Sequence, residues 1–93
     1  MSELISILVR IEGRVQGVWF RAWSATEASS LGLSGWVRNR WDGSVEAVFS
    51  GPENLVSKML ERCWDGPILA QVSSIIDEPC ALPKSGFFQL PTG

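Results

Sequence analysis

Residues 35–50 read GWVRNRWDGSVEAVFS, two short runs rich in Trp, Val and Phe on either side of an Asp42-Gly43 pair. Asp-Gly between alternating apolar residues marks a hairpin, because glycine adopts the positive φ that a tight turn demands. The stretch predicts strands over 35–40 and 44–50. Alternation along the first places Trp36, Arg38 and Arg40 on one side and Val37 and Asn39 on the other, with Val37 inward. Upstream, Ile5, Ile7, Val9 and Ile11 alternate with Ser6, Leu8, Arg10 and Glu12, the period of two of a half-buried strand. Residues 21–31 lack Gly and Pro and space Ala22, Ala25, Ala28 and Leu31 by threes, which predicts a helix stopped by Gly32. Downstream, Pro52 opens a second helix in which Leu55/Val56, Met59/Leu60 and Cys63/Trp64 recur every four residues, so Trp64 is expected in the core. Residues 72–77 read as a fourth strand, and 86–90, beyond Pro79 and Pro83, as a short edge strand.

The order strand, helix, strand, strand, helix, strand, edge strand predicts an α+β, ferredoxin-like (split βαβ) sandwich. Its antiparallel sheet of four to five strands carries two helices on one face. Ninety-three residues hold one core, so residues 1–93 are expected to form a single domain. The 45% hydrophobic fraction and 19% charged fraction suit a folded chain. A net charge of −2 excludes the broad basic field that binds nucleic acid or anionic lipid. The absence of histidine excludes a His-based triad, a His general base and His-ligated zinc. Cys63 and Cys80 form no CxxC pair, Glu3 stands where a secretory leader would be basic, and no run reaches membrane-spanning length. The reading is a soluble, cytoplasmic monomer with reduced thiols, no cofactor, no metal, and neither nucleic acid nor membrane as partner.

A fold this common does not name a function. Two segments point to chemistry. Residues 13–21, GRVQGVWFR, join a strand to a helix start. Unpaired N–H groups at a helix start, glycines that let them converge and the guanidinium of Arg21 together make an anion cradle suited to phosphate. The same residues also fit a plain turn with a solvated arginine. Asn39 projects from the core side of the sheet near the hairpin end, where an amide either binds a ligand or satisfies a nearby backbone group.

At these segments the sequence resembles the acylphosphatase family. The family's G-x-V-Q-G-V-x-F-R is met by Gly13, Val15, Gln16, Gly17, Val18, Phe20 and Arg21. Its G-x-V-x-N-x-x-D-G-x-V-E is met by Gly35, Val37, Asn39, Asp42, Gly43, Val45 and Glu46. Glu27-Ala28, Leu31-Gly32-Leu33, Gly51-Pro52 and the ending from Phe87 to Thr92 extend the resemblance over essentially the whole chain. It implies metal-independent hydrolysis of the carboxyl–phosphate anhydride of an acyl phosphate to carboxylate and inorganic phosphate. Arg21 then carries over as the catalytic arginine binding phosphate and Asn39 as the residue positioning the attacking water. Val15, Gln16, Gly17, Val18, Trp19 and Phe20 supply the phosphate-binding loop. The chain departs from the family at Trp41 in the hairpin turn and in lacking a C-terminal tyrosine, which bears on substrate access.

Five tryptophans suggest a stacking surface for single-stranded RNA, but the acidic charge and the lack of a basic-aromatic signature argue against it. Trp41, in the turn, is expected to be exposed, either rimming the site or packing plainly. Arg10, Arg14, Arg38 and Arg40 make residues 10–40 locally basic, either solvating a sheet edge or steering a dianion. Cys63 is expected buried in the second helix and Cys80 in a loop, neither with a catalytic role.

Overall fold

The computed structural model describes residues 3–93. The N-terminal alternation builds β1 (Leu4–Arg14), and the glycine-bounded loop leads into α1 (Phe20–Ser30). The Asp42-Gly43 turn joins β2 (Ser34–Asn39) to β3 (Val45–Pro52). α2 (Glu53–Asp65), β4 (Gln71–Pro79) and β5 (Phe87–Gln89) follow. The five strands form one sheet in the order β4-β1-β3-β2-β5. α1 packs over β2 and β5, and α2 over β3 and β4.

Four strands are antiparallel neighbours, as expected, but β5 runs parallel to β2 and makes the sheet mixed. The reason is the route of the connection. The segment from Cys80 to Gly86 carries the chain from one sheet edge to the other without changing ends. Along it, Cys80 N–H donates to the Ser6 carbonyl (3.0 Å), Ser6 Oγ donates to the Ala81 carbonyl (3.1 Å), and Gly35 N–H donates to the Gly86 carbonyl (2.9 Å). β5 therefore runs opposite to β4, the direction already taken by β2. Stacking of Phe87 on Phe49, centroids 5.7 Å apart, pins this short strand to the core.

Val9, Ile11, Val37, Val45, Ala47 and Phe49 of the sheet meet Phe20, Ala28, Val56, Met59 and Cys63 of the helices in the core. Register places Ile11 opposite Val45 and Val45 opposite Asn39, so Asn39 ends a row that runs through two fully buried residues. Two details of packing correct the sequence reading. α1 buries Phe20, Ser24 and Ala28, spaced by fours, rather than the run spaced by threes. Trp64 is half exposed, because the buried stripe of α2 is Val56, Met59 and Cys63 and one further residue turns about 100° away from it.

Candidate active site

The loop between β1 and α1 is built by changes of backbone hand. A bulge at Glu12/Gly13 shifts the register of β1 on β4, and a Cβ on Gly13 would strike the Gln71 carbonyl. Gly17 (φ 72°) and Trp19 (φ 69°) are left-handed while Val18 between them is not. Such alternation turns successive N–H groups toward one concavity. Among the described residues, no other group of the chain accepts from the backbone N–H groups of residues 16 to 19. Trp19 is the N-cap of α1, yet no side chain caps the helix and its first turn carries no acid. The positive end of the helix is thus left open to an external anion.

This loop forms one wall of a cavity of about 380 Å³ lined by Val15, Gly17, Trp19, Phe20, Arg21, Ala22, Asn39 and Gln89. The two expected catalytic residues, 18 positions apart in sequence, line the same cavity. Arg21 sits in the first turn of α1, and its Nη1 donates to the Leu90 carbonyl just beyond β5 (3.2 Å). That brace holds the guanidinium against the sheet end and leaves its other donors for a ligand. Asn39 is held through its backbone instead: its carbonyl accepts from Gly93 N–H at 3.0 Å, and Trp41 N–H reaches the Gly93 carbonyl at 3.3 Å. Among the described residues its carboxamide makes no hydrogen bond, so the alternative of a turn-satisfying amide is not realised.

Of the expected phosphate-binding loop, Val15, Gly17, Trp19 and Phe20 line the cavity, whereas Gln16 and Val18 do not. Val18 is buried in the core. Gln16 turns to the hairpin, its Nε2 donating to the carbonyls of Arg40 (2.7 Å) and Ser44 (2.8 Å). Neither side chain is available to a ligand in the cavity. Gln89 and the Leu90 carbonyl were not singled out from sequence. The parallel register of β5 with β2, which sets Gln89 beside Val37, brings them here. Trp41 is exposed but does not line the cavity.

The neighbouring arginines are largely neutralised. Arg38 and Arg40 share Glu46 at 2.7 and 3.4 Å, and Arg38 lies 5.2 Å from the centroid of the Trp36 ring. Arg10 pairs with Asp42 and with Glu12. Hydrogen bonds from the Ser44 hydroxyl and N–H, and then from Arg10, hold the Asp42 carboxyl well below the usual carboxylate range. The hydrogen bond that Arg10 donates to Asp42 correspondingly raises the Arg10 pKa. Arg21 is therefore the charged side chain of the cavity, and no carboxylate lines it. Among the described residues, no three of His, Cys, Asp and Glu gather as metal ligands.

The acylphosphatase family model matches residues 7–89. An acylphosphatase of Rhodospirillum rubrum is 52% identical over 88 residues, covering 94% of this chain and 97% of its own. One from Nitrobacter hamburgensis is 48% identical over 99% of both chains. The solved structure of an acylphosphatase from Coxiella burnetii superposes with a TM-score of 0.89 at 35% identity, covering 94% of this chain and 93% of the other.

Proposed function

The chain belongs to the acylphosphatase family, and from that premise we propose that Arg21 and the backbone of residues 15–20 bind the phosphoryl group of an acyl phosphate while Asn39 holds the attacking water. The family's reaction is R-CO-O-PO₃²⁻ + H₂O → R-COO⁻ + HPO₄²⁻ + H⁺. Its carboxylate leaving group needs no strong general acid. Phosphoryl transfer of this kind asks chiefly for positioning and for stabilisation of charge on the phosphoryl oxygens. A guanidinium and converging N–H groups supply both. The Asn39 carboxamide, which bonds to no other described residue, can accept from a water and donate to it, fixing that water in line with the phosphorus–oxygen bond. A phosphoryl oxygen takes the water's proton. No step is assigned to a metal, because the lining offers a fixed cation and amide donors for the anion and no carboxylate to hold a second cation.

The carrying observation is that Arg21, Asn39 and the loop residues Gly17 and Trp19, whose N–H groups are unengaged, line one cavity. The same reading takes residues 1–93 as one domain acting as a cytoplasmic monomer on a small substrate, releasing inorganic phosphate, without nucleic-acid or membrane partners. In support, the matched region spans most of the chain, both cysteines are free, the net charge is −2, and no described helix is long and apolar enough to cross a membrane. The test is turnover of benzoyl phosphate by the purified chain with and without EDTA. Equal rates are expected; activity that disappears with chelator and returns with a divalent ion would overturn the metal-free mechanism.

A further inference from the structure

The cavity wall carries one side chain that neither phosphate binding nor the core explains. Trp19 is 79% exposed and is the one non-glycine residue with positive φ among those described. A side chain in the left-handed region is disfavoured relative to glycine, and a large apolar ring left in water gains nothing from burial. The other tryptophans differ. Trp23 packs edge-on against Phe20, Trp36 lies under Arg38, Trp41 is outside the cavity, and Trp64 stands on α2. Trp19 alone combines exposure and a disfavoured backbone with a place on the wall that holds Arg21.

We propose that Trp19 selects the acyl group, its indole giving a flat apolar contact to the part of the substrate that projects from the bound phosphate. The inference rests on the reading that the loop and Arg21 hold the phosphoryl group. Given that, the acyl chain has only the cavity mouth to occupy, and Trp19 belongs to the loop that grips the phosphate, so its ring stands beside whatever is attached. An aromatic or bulky apolar acyl group gains dispersion and burial against the ring, whereas acetyl is too small to cover it. The preferred substrates are therefore aryl or long apolar acyl phosphates.

The test compares kcat/KM for benzoyl and acetyl phosphate in the native chain, Trp19→Gly and Trp19→Phe. Glycine accepts φ 69° without strain, so Trp19→Gly should fold at least as readily. Its ratio of kcat/KM for benzoyl over acetyl phosphate should fall roughly tenfold, the scale of one lost aromatic stacking contact, on top of any loss the two substrates share through the loop backbone. Trp19→Phe should retain most of that ratio. Equal losses on the two substrates, or an undiminished benzoyl preference in Trp19→Gly, would overturn the role of Trp19. Undiminished phosphate inhibition in Arg21→Ala would instead overturn the site reading beneath it, so the two failures appear in different variants.

Discussion

Gln16 reaches out of the loop between β1 and α1 to donate to the Arg40 carbonyl at 2.7 Å, one residue beyond Asn39. Its second donor goes to Ser44 at 2.8 Å, across the turn from Arg40. One carboxamide thus ties the loop that precedes Arg21 to the strand end that carries Asn39. Two pieces of chain 24 residues apart are held in register by a residue that does not line the cavity.

Replacing Gln16 by Met keeps the length of the side chain and removes both donors. The Arg40 and Ser44 carbonyls lose their side-chain partner, at about 0.5 to 1.5 kcal/mol for each bond. Urea unfolding should show a loss of about 2 kcal/mol. Because loop and strand are then free to drift apart, kcat on benzoyl phosphate should fall by roughly tenfold or more under conditions where the variant is fully folded. A Gln16→Met enzyme with native kcat would show that the tether has no part in aligning the site.

Arg21→Ala should remove the cavity's charged donor while sparing the core, since among the described residues the Arg21 side chain makes one hydrogen bond, to the Leu90 carbonyl. A lost transition-state donor costs about 3 to 4 kcal/mol, on the order of 10²- to 10³-fold in kcat/KM. Arg21→Lys should recover little, because an ammonium cannot brace Leu90 and fork onto two phosphoryl oxygens at once. Retention of most of kcat/KM in Arg21→Ala would refute the assignment.

Asn39→Ala separates water from phosphate. The carboxamide bonds to no other described residue, so stability should change by no more than about 0.5 kcal/mol. If the amide's partner is the attacking water, kcat should fall at least 100-fold while the inhibition constant of inorganic phosphate moves by less than about threefold. Parallel weakening of both would make Asn39 a phosphate ligand.

The parts legible in the sequence are those whose cause is local. The period of two in Ile5 to Ile11, the Asp42-Gly43 turn and the stripe of α2 each follow from backbone geometry within a few residues. Asn39 was legible because alternation put an amide in a row that continues as Val45 and Ile11. Features that depend on distant chain were not. The direction of β5 follows from the path of Cys80 to Gly86, and with it the arrival of Gln89 and the Leu90 carbonyl beside Arg21. Gln16 read as part of the cradle because its motif position does not reveal that its side chain turns to Arg40 and Ser44. Trp64 misled because a repeat of apolar pairs does not say which member of the last pair faces inward.

Cys63 sets an alkaline limit on the fold. Burial, and secondarily the charge of Glu27, push its thiol up to about 12 from 9.0. In the unfolded chain the thiol ionises near its ordinary value, so between about pH 9 and 12 the unfolded state binds fewer protons than the folded one. Stability then falls as pH rises, by up to about 1.4 kcal/mol per pH unit, and is fully present below the lower bound. Cys63→Ala should be less stable at pH 7, since it leaves a void beside Val56 and Met59. Its urea midpoint should nevertheless decline less steeply than the native one from pH 9 to 11, so that the two curves converge. Parallel curves across that range would show that the buried thiol does not govern alkaline unfolding.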